Sequence, residues 1–163
     1  MDRYQFHPAV TLLVPVAAVL LQALLPKNLP RLAILDLPLI VVIYFSVSRR
    51  SPIAGTFTGM FVGLFQDALT GHALGVNGIA KAIIGYIAAS LGFAIDVDNL
   101  VNRMVLNFVF SLLGSGMLFL IERFLLAGHS VQLMLLHELL RAVCNTAVSV
   151  PVFLMLDRFR VRD

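Results

Sequence analysis

Gln66-Asp67-Ala68-Leu69-Thr70-Gly71-His72-Ala73-Leu74-Gly75 stands in the middle of an otherwise apolar chain. It follows a run with glycines at Gly55, Gly59 and Gly63, so Asp67 continues the same four-residue spacing. Residues four apart share one face of a helix. Small residues at that spacing let helices approach closely in lipid, and a carboxylate on the same stripe is costly there unless something pairs with it. The reading of this stretch therefore turns on whether the chain around it is membrane-embedded.

Composition says that it is. Of 163 residues 60% are hydrophobic and only 13% charged, and the mean hydropathy is +0.94. A soluble domain carries about 25% charged residues. No polar stretch is long enough to fold as a separate soluble domain. The net charge of +3 sits at segment ends rather than in a patch, which argues against nucleic-acid binding and for a role in orientation. The lone Cys144 lies in an apolar segment and is expected to be a buried, inert thiol. Arg3 and the apolar run after it invite comparison with a cleavable signal peptide. Pro8, Pro15 and the lack of an A-x-A site favour a retained helix instead.

Six apolar segments follow: 8–25, 32–48, 53–68, 78–95, 101–127 and 131–156. A spanning helix needs about 20 residues. The expected fold is an all-α integral membrane protein, a single polytopic domain over 1–163 with six transmembrane helices. The second and third segments are short. Asp36 and Pro38 weaken the start of the second, and Asp36 suits a helix N-cap. Pro26-Lys27-Asn28-Leu29-Pro30 is expected to end the first.

With six crossings both termini share a side. That side collects Arg3, Arg49, Arg50, Arg103, Arg158, Arg160 and Arg162, seven of the twelve basic residues. The positive-inside rule makes it the cytoplasm. Asp36, Gln66, Asp67, His72, Asn77, Lys81, Glu122, Arg123, His129, His137, Glu138 and Arg141 then fall toward the outer half of the membrane or its middle.

Several residue sets invite functional readings. Gly55, Gly59 and Gly63 form two overlapping G-x-x-x-G units, matched by Gly85 and Ala89 on the fourth segment. They serve packing within the bundle or docking of another protein's helix. The fifth segment carries Arg103, Asn107, Ser111 and Ser115 at four-residue spacing, with Glu122 beyond. The sixth carries His137, Arg141, Asn145 and Ser149, with Glu138 beside the first. These seams make interhelical hydrogen bonds or line a polar cavity open to the outer face. Arg141 lies deep in its segment, and its candidate partners are Asp67, Glu122 and Glu138. Lys81 has Asp67 as its candidate. Asp67, Lys81, Asn107, Glu122, Glu138, Arg141 and Asn145 thus form the candidate polar cavity or ion-pair network. The turn residues Gln66, Asp67, Gly71 and Gly75 also have a purely structural reading, since the glycines permit left-handed backbone.

Enzyme readings are poor. An H-E-x-x-H motif would bind zinc, but Arg141 stands where the second histidine is needed. No serine or cysteine has a credible neighbouring base, and no metal or cofactor is expected.

The run Gly63-Leu64-Phe65-Gln66-Asp67-Ala68-Leu69-Thr70-Gly71-His72-Ala73-Leu74-Gly75-Val76-Asn77-Gly78 resembles the signature of the rod shape-determining MreD family. Its members carry G-L-x-Q-D-x-x-x-G-x-x-x-G between the third and fourth hydrophobic segments. Size, six segments and cytoplasmic termini agree with that family as well. The resemblance implies a non-catalytic scaffold in the bacterial inner membrane that binds the bitopic protein MreC. Through it the scaffold would link MreB filaments to a RodA-type glycosyltransferase and its class B penicillin-binding partner, and so to lateral peptidoglycan synthesis. The family is also similar in fold to substrate-binding subunits of energy-coupling-factor transporters. That leaves a second reading, a vitamin-type transporter subunit, or an inherited cavity that accepts a membrane lipid or a segment of the partner.

Overall fold

The computed structural model describes residues 4–96, 98–125 and 135–162. Helices α1 (Pro8–Asn28), α2 (Leu37–Arg49), α3 (Pro52–Thr70), α4 (Val76–Leu91), α5 (Leu100–Leu125) and α6 (Leu135–Asp157) make up most of the molecule, with a short 3-10 turn at Pro30–Ile34. Helix starts follow local chemistry. Ser51 and Asp36 accept backbone N–H groups of α3 and α2, and a proline sits in the first turn of each. Proline fits there because its missing N–H would be unpaired anyway. α1 ends at Asn28, inside the Pro26–Pro30 run, with the Leu29 N–H on the Leu25 carbonyl at 2.8 Å. The fourth helix starts two residues earlier than predicted and stops at Leu91, after which residues 92–95 turn. The predicted start of the sixth segment, 131–134, lies outside the described residues.

Two three-residue strands, which the hydropathy pattern did not reveal, fasten the chain ends. β1 (Tyr4–Phe6) pairs antiparallel with β2 (Arg160–Arg162), so the termini lie at the same end of the bundle. A two-stranded ribbon is marginal alone. This one is anchored by Phe6, whose ring packs edge-on against Tyr44 and Phe45 at 5.8 and 5.0 Å.

α2 is the central helix. Pro38 through Ser48 are buried without a break, and α1, α3, α4, α5 and α6 all touch it. A helix apolar all round must be covered all round, and this one is. Outside it the polarity is inverted relative to a soluble protein. Leu13, Phe57, Val105, Phe124 and Leu136 are all more than half exposed, while Asp36, Asp67, Lys81 and Asn145 are buried. Among the described residues three stretches are long and apolar enough to cross a membrane: Leu32–Arg49, Leu100–Phe124 and Leu135–Asp157. α1 and α4 are apolar but shorter over their hydrophobic part. α3 is diluted by its glycines, its threonines, Gln66 and Asp67.

The closest packing is between α3 and α4. A side chain added at Gly55 would collide with the carbonyl of Gly85, one at Gly59 with that of Lys81, and one at Gly63 with that of Asn77. Ala89 completes the contact beside Gly55. The glycine ladder is therefore covered by α4 in an antiparallel register, and that face is not free for a second protein's helix.

Candidate functional site

The Gln66–Gly75 stretch folds as a helix end, a turn and a helix start. Gly71 caps α3 in the left-handed conformation (φ 71°), with its N–H on the Asp67 carbonyl at 3.1 Å. Gly75, at φ 100°, precedes α4 without offering a side-chain cap. Asp67 supplies the missing cap from eight residues back. Its Oδ2 accepts the N–H groups of Gly75 at 2.9 Å and Asn77 at 3.1 Å, and its Oδ1 accepts the Asn77 amide at 2.7 Å. A helix start presents unpaired N–H groups and the positive end of the helix dipole, so a carboxylate is well matched to it. Asp67 is fully buried and yet fully engaged. Gln66 is buried beside it, and its side-chain Oε1 has no partner among the described residues.

Asn77 carries the network inward. Its Oδ1 accepts the Lys81 ammonium at 3.0 Å, one turn along α4. Lys81 then reaches Asp36 Oδ2 at 3.0 Å. Both side chains are 2% exposed, and an ion left without its partner at such depth would be strongly destabilising. Arg141 of α6 places Nη2 on the same Asp36 oxygen at 3.3 Å, and its Nη1 stands 3.8 Å from Glu138. Asp36 Oδ1 caps α2 through the Leu39 N–H at 3.1 Å. Asn145 accepts the Asp36 backbone N–H at 2.9 Å and donates to Ser111 of α5 at 3.2 Å. Gln22 of α1 splints the chain on either side of Asp36, donating to the Leu35 carbonyl and accepting from the Leu37 N–H.

Asp36 is thus the hub. The sequence suggests a capping role for it, names Asp67 as the candidate partner of Lys81, and offers Arg141 a choice of Asp67, Glu122 and Glu138. The structure puts Asp36 in the place of Asp67 in both pairings and keeps Glu138 3.8 Å from Arg141. Asp67 is saturated by the start of α4, whereas Asp36, at the head of the central helix, sits where α4 and α6 converge. Glu122 is also corrected as a partner of Arg141. It lies partly exposed near the far end of α5 and makes no ion pair among the described residues. Asn107 is wholly buried on α5, but neither of its amide atoms finds a partner there.

A second lock closes the opposite end. Asp157, at the end of α6, accepts from the Tyr44 hydroxyl at 2.8 Å and from Arg103 Nη1 at 2.6 Å. Arg103 also stands 3.7 Å from Asp98. Neither Tyr44 nor Asp157 stood out in the sequence, because a tyrosine in an apolar run and an acid in a basic tail each have ordinary explanations.

Chemically the site joins helices. Its cations and carboxylates face one another, and its amides bridge them. Among the described residues no three histidine, cysteine or acidic side chains are grouped as metal ligands. His72 and His137 are exposed, and His129 lies outside the described residues. Cys144 is half-buried rather than buried.

A family model described as rod shape-determining protein MreD matches residues 4–159, nearly the whole chain. No curated protein and no solved structure matches it. With its apolar helices, the chain belongs to the MreD family of rod shape-determining membrane proteins.

Proposed function

We propose that the protein is a non-catalytic scaffold of the rod elongation complex that binds MreC. Through MreC it helps couple MreB filaments to the RodA-type glycosyltransferase and class B penicillin-binding protein of lateral wall synthesis. In this reading all six helices cross the inner membrane, in a bundle similar to energy-coupling-factor substrate subunits, and both termini are cytoplasmic. The carrying observation is that both oxygens of Asp36 and both of Asp67 are engaged by groups of the same chain. Such residues hold a shape and do not turn over a substrate. With the glycine faces of α3 and α4 covered by each other, the partner surface falls to the outer loops and the lipid-facing sides.

The test is co-purification of the tagged chain from native membranes, with depletion scored by cell shape. A single-span MreC recovered near one-to-one and rounding of depleted cells support the proposal. Loss of neither shape nor MreC recovery on mutating the outer loops moves the contact to the helix faces.

One observation favours the rival reading. Arg141 is 24% exposed and pairs loosely with Glu138, as a side chain facing a small anionic ligand would. A vitamin-type molecule retained in stoichiometric amount, with normal shape after deletion, selects that reading over the scaffold.

A further inference from the structure

α6 turns an apolar face outward and carries an ion pair on its flank. Leu140, Ala147 and Pro151 are exposed and Cys144 half-buried, at a spacing that puts all four on one face. Beside Leu140, Arg141 and Glu138 keep 24% and 19% of their side chains exposed. They are the charges through which the Asp36 network reaches the surface, since Asp36 and Lys81 are buried. Arg141 is held loosely on both sides. Its Nη2 lies 3.3 Å from Asp36, where Lys81 lies at 3.0 Å, and its Nη1 lies 3.8 Å from Glu138, too far for a hydrogen bond.

The depth of this pair suits a lipid headgroup. α6 has 23 residues, about 34 Å of rise against a hydrocarbon layer of about 30 Å. The backbone of Arg141 lies about 9 Å of rise beyond Leu135, where the helix begins. The guanidinium points back toward that start, as its approach to Glu138 shows. A long side chain aimed that way carries its charge up to the headgroup boundary while its stem stays in the apolar layer.

We propose that Arg141 and Glu138 form a site for the zwitterionic headgroup of a phosphoethanolamine lipid, with the phosphate on Arg141, the ammonium on Glu138 and an acyl chain along Leu140, Cys144, Ala147 and Pro151. Charge decides the class of ligand. Asp67 is answered by the N–H groups of α4, and the carboxylates of Asp36 and Glu138 are matched by Lys81 and Arg141. A ligand with one charge of each sign keeps that balance. A purely anionic headgroup would meet Glu138, and a purely cationic one Arg141. An ammonium also donates hydrogen bonds to a carboxylate, which the quaternary nitrogen of choline cannot, so Glu138 separates the two common zwitterions. The inference rests on α6 crossing the membrane and is independent of which protein the chain binds.

Native mass spectrometry of the delipidated full chain tests this, with phosphatidylethanolamine, phosphatidylcholine and phosphatidylglycerol of identical acyl chains added in turn. We expect phosphatidylethanolamine to be retained several-fold better than the other two. Its advantage over phosphatidylcholine should vanish in Glu138→Gln, which keeps the side chain's size and leaves the Asp36–Lys81 pair in place. Soluble glycerophosphoethanolamine, the same headgroup without chains, should bind at least tenfold more weakly. Equal retention of the three lipids by the unmodified protein overturns the proposal without recourse to any variant. A preference that survives unchanged in Glu138→Gln overturns it too, and binding of the soluble headgroup as tightly as the lipid overturns the lipid as its source.

Discussion

Asp67 and Asp36 are both buried carboxylates, and they do different work. Asp67 answers the open N–H groups of α4, and Asp36 answers two cations from different helices. Removing the Asp67 side chain leaves the Gly75 and Asn77 N–H groups bare, a loss of about 2–3 kcal/mol. Asp67→Ala should therefore lower the melting temperature in detergent by about 5–10 °C for a chain of this size, and lower the assembled level of the complex with it. Asp67→Asn keeps one acceptor and should fall in between. An unchanged melting curve and cell shape for Asp67→Ala would remove Asp67 from the account. The cap was partly legible in the sequence, since Gln66-Asp67 followed by Gly71 and Gly75 reads as a turn. The Asp36 pairing was not, because its partners are 45 and 105 residues away in the chain. The available signal was that Asp36, Lys81 and Arg141 all fall toward one side of the membrane.

At the level of elements, α3 and α4 are held by backbone contact, and lipid offers no hydrophobic penalty to replace it. Gly59→Ala places a methyl group against the Lys81 carbonyl, so the two helices must separate. It should sharply reduce the yield of folded protein. Gly116 lies within α5 with nothing near its missing side chain. Gly116→Ala should leave the fold intact and raise stability by about 0.5–1 kcal/mol, the ordinary helix gain. Equal effects of the two changes on thermal unfolding would contradict the packing described. The helices themselves were legible from hydropathy because each carries an apolar run, long in α5 and α6 and shorter in the others. Their ends were less so. The first helix ends inside the Pro26–Pro30 run, but two residues past Pro26, since a proline in the last turn removes one hydrogen bond without blocking the next. The β1–β2 ribbon was invisible, because three-residue strands carry no periodicity and pair across the whole chain.

At the scale of the molecule, the polar groups gather in two layers, one at the Asp36 end and one where the termini meet. Cysteine scanning in a Cys144→Ser background should find His72→Cys, on the exposed turn before α4, labelled by impermeant reagents from outside the cell. Arg158→Cys should be labelled only after the membrane is opened. Reversal of that pattern would place the termini outside. Membership of the MreD family was readable from sixteen residues. The covering of the glycine ladder and the hub role of Asp36 needed three dimensions, because both depend on which helices become neighbours.

The central claim is that the buried charges hold helices together and do not hold a substrate or partner. It is tested most directly by comparing Asp36→Asn with the double variant Asp36→Asn/Lys81→Met, reading melting temperature and co-purified MreC on the same samples. The single change strands a buried ammonium and should cost about 3–5 kcal/mol, whereas replacing both ends of the Asp36–Lys81 pair removes most of that penalty. The account predicts that stability and MreC recovery fall together in the single variant and recover together in the double. A double variant that melts like the unmodified protein but no longer retains MreC would contradict it.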